Sequence, residues 1–322
     1  MNDLGLLDLI ISLMPELTAK EKINILNLFK CEEDLLILSK NHIEEIINRK
    51  INKNWDVSDI RDKADSIDTI CKIRSIKWVS FSNASYPPLL REIYDPPAVI
   101  FYKGILPDPE KPLLGMAGTR KPSPEGSAQA YKLAFEAGKA GISVVSGLAL
   151  GIDSMSHRGN LASGVPGYAV LGSGLDEIYP SINRSLARQI IDSKGALVSE
   201  YPPGVRPSKW SFPARNRIIS ALSRSVLIVE APKKSGALIT ADFAHEHGKD
   251  LWIASSGIKQ GIYDKCGTLK LAQDGAEIIY SKNDILKKWD MEVSDNTGNA
   301  EVSGGEVSDI VFSMANFLKI EI

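Results

Sequence analysis

The sequence predicts an α/β protein in which helices cover a parallel sheet. A small all-helical domain is expected to precede this part along the chain. Short apolar runs alternate with helical patterns between residues 111 and 289, and this alternation is typical of a parallel sheet covered on both faces. Residues 1–75 have helical periodicity, and no glycine occurs between residues 6 and 103. Residues 76–110 are rich in proline, which indicates a connecting segment.

The all-helical domain is predicted from capping signals and short apolar patterns. Thr18 and Glu21 have the spacing of a capping box, which marks a helix start. Further helices are expected at Glu32–Leu38, His42–Ile47 and Val57–Ile73. No residue in this part has an evident chemical role, so a compact bundle is expected.

Six apolar runs are the predicted strands of the sheet, at Leu113–Ala117, Ile142–Val145, Tyr168–Leu171, Ala196–Ser199, Val226–Val229 and Leu251–Ala254. Helical patterns lie between them at Ala128–Lys139, Arg184–Ser193 and Ala237–His247. Because such sheets bind ligands beyond the carboxyl ends of their strands, the loops at those ends form the candidate site. Residues 290–322 are acidic and rich in serine and glycine, which predicts a flexible tail.

The composition excludes several classes of protein. The three cysteines are widely spaced, so neither a disulfide framework nor a zinc site is expected, and no metal or cofactor is predicted. No apolar run approaches the roughly 20 residues that span a bilayer, and the N-terminus lacks the basic start of a signal peptide. A cytoplasmic protein with no membrane contact is therefore expected.

The net charge of −2 hides an uneven distribution. Residues 111–289 hold 23 basic and 15 acidic residues, whereas residues 290–322 hold 1 and 7. The basic excess of the predicted α/β part is the electrostatic footprint expected of a nucleic-acid binder. The acidic tail is expected to compete with DNA for that surface.

The first two loops carry glycines and polar groups. After the first strand, Gly118, Thr119 and Arg120 precede a helix, whose free N–H groups and the arginine suit a phosphate; an ordinary turn with an exposed arginine is the alternative. After the second strand come Ser146 and Gly147, with Asp153 and His157 one turn apart on a helix. An acid–base pair is conceivable there, but a capping aspartate and a histidine in the pocket wall are favoured.

The later loops add basic and aromatic residues. Gly172, Ser173 and Gly174 follow the third strand, and Arg184 begins the next helix. After the fourth strand, Lys209, Arg215, Asn216 and Arg217 are interleaved with Trp210 and Phe212, a combination that suits a phosphate backbone and stacked bases; a solvated charged turn is the alternative. After the fifth strand, Ser235, Gly236 and Thr240 open a helix beside two lysines, another anion site. Glu230, at the end of that strand, could pair with an arginine, bond a ribose or a base, or act in catalysis.

Taken together, these loops resemble the DNA-processing protein A (DprA/Smf) family. The ordered motifs are GTR (118–120), SGLALGID (146–153), GSGLDEIYP (172–180), SEYPPG (199–204), FPARNRIISALS (212–223), VEA (229–231) and SGALITA (235–241). The resemblance spans about residues 80–280. Two departures are Ser181, where many relatives have lysine, and Ser256–Gly257, where relatives tend to have Pro-Gly.

The resemblance implies an extended Rossmann-like domain that binds single-stranded DNA and is not an enzyme. It also implies protection of incoming DNA in natural transformation, loading of the recombinase RecA, and a homodimer. Carried over to this chain, the binding positions are Gly118, Thr119, Arg120, Ser146, Gly147, Asp153, His157, Gly172, Ser173, Gly174, Arg215, Asn216, Arg217, Glu230, Ser235, Gly236 and Thr240, with Arg184 and Lys209 at the rim. The alternative is a nucleotide sensor or a phosphoribohydrolase-like enzyme, although the PGGxGTxxE motif of those enzymes is missing here.

Overall fold

The computed structural model describes residues 6–259 and 264–292. The predicted acidic tail, apart from its first three residues, lies outside the described residues. Within them, the chain forms a single mostly parallel nine-stranded sheet with helices, so the predicted α/β class is confirmed.

The strands, numbered along the chain, are β1 (Lys77–Ser80), β2 (Val99–Gly104), β3 (Leu113–Ala117), β4 (Ser143–Ser146), β5 (Tyr168–Leu171), β6 (Ala196–Ser199), β7 (Ser225–Ile228), β8 (Asp250–Ala254) and β9 (Glu277–Ile279). Their order in the sheet is β1-β2-β6-β5-β4-β3-β7-β8-β9. Strands β3 to β9 are parallel to one another. The strand order reverses between β3 and β7, and ligands bind at such a switch point in open α/β sheets.

The helices are α1 (Leu7–Leu13), α2 (Ala19–Leu28), α3 (Glu32–Leu36), α4 (Lys40–Ile47), α5 (Val57–Ile73), α6 (Pro88–Arg91), α7 (Pro124–Lys139), α8 (Ile152–Ala162), α9 (Arg184–Asp192), α10 (Ser211–Leu222), α11 (Gly236–Glu246), α12 (Cys266–Gln273) and α13 (Lys282–Lys288). The predicted capping box is present, because Thr18 Oγ1 accepts from the Glu21 N–H at 3.2 Å. No helix within the two described ranges is long and apolar enough to cross a membrane.

Residues 76–110 are part of the sheet as well as a connecting segment. They contribute β1 and β2, which extend the sheet in antiparallel fashion beyond β6, with Phe101 opposite Ser199. The local pattern could not reveal this, because the partner strand lies far along the chain and the prolines between the two strands suggest irregular structure. The domain boundaries predicted at residues 75, 110 and 289 remain predictions.

The core is divided between the two faces of the sheet. Strands β3 to β7 are buried along their whole length, as expected for parallel strands covered on both sides. On one face, Leu9 and Ile10 of α1 belong to the same buried cluster as Phe101 and Leu197 of the sheet. The N-terminal helices therefore cover part of the sheet and share its core.

Helix α10 differs from the sequence expectation. The segment from Ser208 to Arg217 was expected to be a loop, but the chain is helical from Ser211 onward. Its first turn contains Pro213, which is tolerated there because the first N–H groups of a helix have no partner within the helix. The mixed aromatic and basic residues conceal the helical periodicity, and this helix sets which way Arg215 and Arg217 face.

Candidate functional site

A crevice of about 540 Å³ opens beyond the carboxyl ends of β3 and β7, at the switch point of the sheet. Ten of the predicted site residues line it: Gly118, Thr119, Arg120, Asp153, Arg215, Asn216, Glu230, Ser235, Gly236 and Thr240. The lining also includes Lys121, Lys234 and Phe212. Long-range folding thus brings together loops from three strands and the start of α10.

The N-cap of the helix after the first loop contacts a carboxylate of the protein itself. Glu230, which is almost fully buried, accepts from the Ser123 N–H at 2.8 Å and from Ser123 Oγ at 2.5 Å. Lys265 Nζ lies 3.1 Å from the same carboxylate. The N-cap of α7 therefore lies against a carboxylate of the protein itself, which disfavours a phosphate at that position.

Polar groups of the second loop are likewise hydrogen-bonded within the protein. Asp153, in the first turn of α8, accepts from the Ala149 N–H at 3.2 Å. Burial raises the pKa of Asp153, and the nearby Arg215 guanidinium opposes that shift. Ser146 Oγ donates to the Met116 carbonyl at 2.6 Å, so it ties β4 to β3. These residues stabilise the wall of the crevice. The helix cap expected of Asp153 from sequence is absent, because the N-cap of α8 is Gly151 and no side chain caps the helix.

Arg215 braces the crevice from inside. It is only 5 % exposed, and its guanidinium donates to the carbonyls of Gly147, at 2.6 Å, and Val170. Its Nε donates to Asn216 Oδ1 at 2.9 Å. Burial lowers the pKa of Arg215, while Asp153 opposes the shift. Arg215 lines the crevice, but most of its N–H groups donate to acceptors of the protein itself. The sequence pattern could not indicate these partners.

Arg217 was predicted to lie in the site, but the structure places it elsewhere. Its Nε donates to Asp95 at 2.9 Å and its Nη2 donates to Glu200 at 2.7 Å. The side chain is buried, and it does not line the crevice. Two residues along a helix correspond to a turn of about 200°, so Arg217 points away from Arg215, and two carboxylates neutralise it instead of a phosphate.

The predicted glycines mostly make room for the protein itself. A side chain at Gly118 would overlap Ile152, and one at Gly147 would overlap the Arg215 guanidinium. Gly172 packs against the backbone of Ser211, and Gly174 against the backbone of Pro202. At these four positions a side chain would overlap neighbouring protein atoms, so close packing within the protein by itself accounts for glycine there.

The remaining predicted residues lie outside the crevice lining. Ser173 is buried, and its carbonyl accepts from Ser199 Oγ at 2.7 Å. Arg184 is exposed at the start of α9, and Lys209 is exposed just before α10. His157 is fully buried in α8, and neither ring nitrogen has a hydrogen-bond partner within the described residues.

Burial, with a smaller contribution from Arg215, lowers the pKa of His157 to about 3. In an unfolded chain histidine titrates near pH 6.5, so below about that pH the unfolded state binds the extra proton and the folded state loses stability. Between pH 7 and pH 5 this group alone is expected to lower the free energy of unfolding by about 2 kcal/mol. The free energy of unfolding, measured in urea at pH 7 and at pH 5, should therefore differ by about 2 kcal/mol less in His157→Leu than in the wild type. The exposed His245, changed to leucine, is the control and should behave like the wild type.

Two groups of aromatic and basic side chains lie in or beside the crevice lining. The Arg120 guanidinium lies 5.3 Å from the centroid of the Phe212 ring, and the Tyr179 ring lies 5.6 Å from that of Phe212. Lys209 Nζ lies 4.9 Å from the Trp210 ring, and Trp210 is 74 % exposed. We call Arg120, Tyr179, Lys209, Trp210 and Phe212 the aromatic rim. Tyr179, like Lys121 and Lys234 in the crevice, was not among the predicted site residues, although each lies in a loop that the sequence singled out.

No group of three or more His, Cys, Asp or Glu side chains in the described ranges is placed to hold a metal ion. The fold and the crevice define a Rossmann-like α/β protein with a basic, aromatic-bordered groove at the switch point of its sheet. The sequence matches the family of DNA recombination-mediator protein A over residues 77–290, and the chain belongs to that family.

Relatives share the α/β part of the chain. Protein Smf of Synechocystis is 45 % identical over 214 residues, which are 65 % of this chain and 53 % of that protein. DNA processing protein DprA of Streptococcus pneumoniae is 39 % identical over 216 residues, which are 66 % of this chain and 75 % of that protein.

Two solved structures are similar. DNA processing protein A from S. pneumoniae superposes with a TM-score of 0.72 and 30 % identity, covering 89 % of this chain and 99 % of that one. DNA processing protein A from Helicobacter pylori superposes with a TM-score of 0.58 and 30 % identity, covering 67 % and 98 %. The H. pylori structure is described as giving insight into a unique single-stranded DNA binding mode.

Proposed function

We propose that this protein binds single-stranded DNA along the crevice and the aromatic rim. The observation that carries the proposal is the rim itself, where three aromatic rings and two cations border a basic groove. Base stacking on aromatic rings and phosphate contacts by arginine and lysine are the two means by which proteins bind single strands without reading sequence. The single-stranded DNA binding mode described for the H. pylori relative supports the same use of this fold.

A single strand suits this surface better than a duplex does. Stacking on Tyr179, Trp210 or Phe212 requires an unpaired base with a free face, and in a duplex that face is covered by the neighbouring base pairs. The contribution of about 1–3 kcal/mol per stacked base is therefore available to a single strand alone.

The test is a titration of the full chain with a fluorescent oligothymidylate and with a duplex of equal length, each at two salt concentrations. The single strand is expected to bind at least tenfold more tightly than the duplex. Three to four phosphate contacts predict a slope of log affinity against log salt of roughly −2 to −3. Equal affinity for the two DNAs, or none for either, would contradict the proposed function.

We extend the proposal to a binding role without turnover. Both oxygens of Glu230 are engaged by Ser123, and Lys265 neutralises the carboxylate. A carboxylate in that position is a poor general base, because three of its roughly four acceptor positions are already occupied. This argues against the phosphoribohydrolase-like alternative, in which a free acidic side chain would be needed.

Membership of the family further supports a cytoplasmic homodimer that protects incoming single-stranded DNA and loads RecA during natural transformation. The measurement for this part is RecA filament formation on single-stranded DNA, followed with and without the protein, together with sedimentation of the protein alone. Faster filament formation and a dimer mass are expected.

A further inference from the structure

We propose that Lys265 is a positioning residue for DNA binding, which acts through the buried carboxylate of Glu230. That carboxylate holds the loop between β3 and α7, and the loop carries Arg120 and Lys121. This role rests on the proposed function. Lys265 does not line the crevice and was not among the predicted site residues, so its effect on DNA is indirect.

One residue, Glu230, anchors both ends of the loop that carries Arg120 and Lys121. Its carbonyl accepts from the Thr119 N–H at 2.8 Å. Its carboxylate accepts from the Ser123 N–H at 2.8 Å and from Ser123 Oγ at 2.5 Å. Between these two anchors, Arg120 and Lys121 are exposed and line the crevice. The positions of the two cations therefore depend on where the Glu230 side chain is held.

The Glu230 carboxylate is in turn held by Lys265. The side chains of Lys265 and Glu230 are 6 % and 2 % exposed, and the Lys265 Nζ lies 3.1 Å from the carboxylate. A buried charge is stable only when it is paired and hydrogen-bonded. Lys265 meets both conditions, because its Nζ also donates to the Ser256 carbonyl at 2.8 Å. A Cβ placed on Gly126 would overlap the same carboxylate, so the Glu230 side chain has little room to move.

Lys265 is itself attached to the end of the sheet. It is the N-cap residue of α12, and its carbonyl accepts from Thr268 Oγ1 at 3.0 Å. The N–H groups of Gly267 and Thr268 donate to the Ala231 carbonyl, at 3.0 and 3.2 Å. Because Ala231 directly follows Glu230, this attachment keeps the Lys265 ammonium group beside the carboxylate.

An ordered loop lowers the cost of binding DNA. Long side chains such as those of Arg120 and Lys121 lose conformational freedom when they contact phosphates, and a loop that is already ordered has less to lose. Without Lys265, the carboxylate of Glu230 would be a buried charge without a partner, which is strongly unfavourable. We expect the carboxylate then to turn toward solvent and to release Ser123, so that the loop loses one of its two anchors.

The test is a double-variant cycle with Lys265→Met, Glu230→Gln and the two changes combined. Each single variant leaves one buried charge without its partner. The combined variant has neutral side chains of similar size in both places, and the glutamine amide can still accept from the Ser123 N–H. Lys259→Met is the matched control, because Lys259 also pairs with a carboxylate of α7, that of Glu125, but both side chains are exposed.

Loop order is measured first, by hydrogen exchange of the full chain without DNA, after the thermal unfolding of each variant has been checked. In both single variants, the peptide that contains the Thr119 and Ser123 amides is expected to exchange about tenfold faster than in the wild type. In the combined variant and in Lys259→Met it should exchange within about threefold of the wild type. If Lys265→Met does not fold, Glu230→Gln and the combined variant make the same comparison. Wild-type exchange in the folded single variants overturns the proposal.

Titration with fluorescent oligothymidylate then tests the link to DNA. Each single variant is expected to bind about tenfold more weakly than the wild type, and the combined variant within about threefold of it. In a protein that already carries Arg120→Ala and Lys121→Ala, Lys265→Met should change the affinity less than about twofold, because the residues through which it acts are gone. An equal loss of affinity with and without those two changes would show a merely structural role and would overturn the proposal.

Failure of the positioning role and failure of the proposed function are distinguishable. Wild-type DNA affinity in the folded single variants overturns the positioning role of Lys265 and leaves the proposed function standing. If the wild type binds no single-stranded DNA, the proposed function fails, and hydrogen exchange alone decides whether Lys265 orders the loop.

Discussion

Replacing Arg120 and Phe212 together by alanine is expected to weaken binding of single-stranded DNA about 100-fold at low salt. The Arg120 guanidinium lies 5.3 Å from the Phe212 ring centroid, and both side chains line the crevice. Loss of one stacking platform accounts for about 1–3 kcal/mol. Loss of one phosphate contact should also make the salt slope shallower by about 0.7. A fluorescence titration at several salt concentrations measures both effects.

The matched control is another cation–aromatic pair, Lys139 and Phe135 on α7. Lys139 Nζ lies 5.4 Å from the Phe135 ring, and neither residue lines the crevice. Replacing both by alanine should leave DNA affinity within about twofold of the wild type. An equal loss of affinity in the two double variants would show that the crevice pair has no special part in binding.

Replacing Arg215 by alanine is expected to lower the free energy of unfolding by at least about 3 kcal/mol, as for removal of one partner from a buried charged network. The change would leave the carbonyls of Gly147 and Val170 without their donor, and it would leave the buried Asp153 without its neighbouring positive charge. The measurement is urea unfolding followed by circular dichroism at pH 7.

Arg184→Ala is the control for this experiment, because Arg184 is an exposed arginine at the start of α9. Its replacement should change the free energy of unfolding by less than about 0.5 kcal/mol. If Arg215→Ala were as stable as Arg184→Ala, the bracing role of Arg215 would be refuted. Any weaker DNA binding by Arg215→Ala has to be judged against the amount of folded protein.

The sequence alone predicted six of the seven parallel strands of the α/β part, whereas β9 and helix α10 were not predicted. All six predicted strands are present with ends within one residue of those expected, as at Leu113–Ala117 and Tyr168–Leu171. Buried parallel strands are short and mostly apolar, so they stand out from their polar loops. The pairing of β1 and β2 with the sheet was missed, because antiparallel pairing with β6 depends on residues far away along the chain.

The sequence predicted which loops form the candidate site. It did not predict which side chains in those loops are left unengaged by other protein groups. Ten of the nineteen predicted residues line the crevice, since the carboxyl ends of parallel strands meet at one edge of a sheet. Arg217 was assigned to a phosphate because neither Asp95 nor Glu200 is recognisable as its partner from sequence. The protein atoms that pack against Gly118, Gly147, Gly172 and Gly174 are likewise not recognisable from sequence.

The sequence by itself determined the α/β class, six of the seven parallel strands of the α/β part, the basic character of that part, and the family. The tertiary structure decided which arginine, which glycine and which helix N-terminus remain available to a ligand. Residue type and local spacing specify a group's chemistry, whereas its availability depends on whether a distant part of the chain already satisfies it. Glu230, just beyond β7, bonds the N-cap residue Ser123 of α7, whereas a Cβ on Gly236 at the start of α11 would meet no atom within 4 Å.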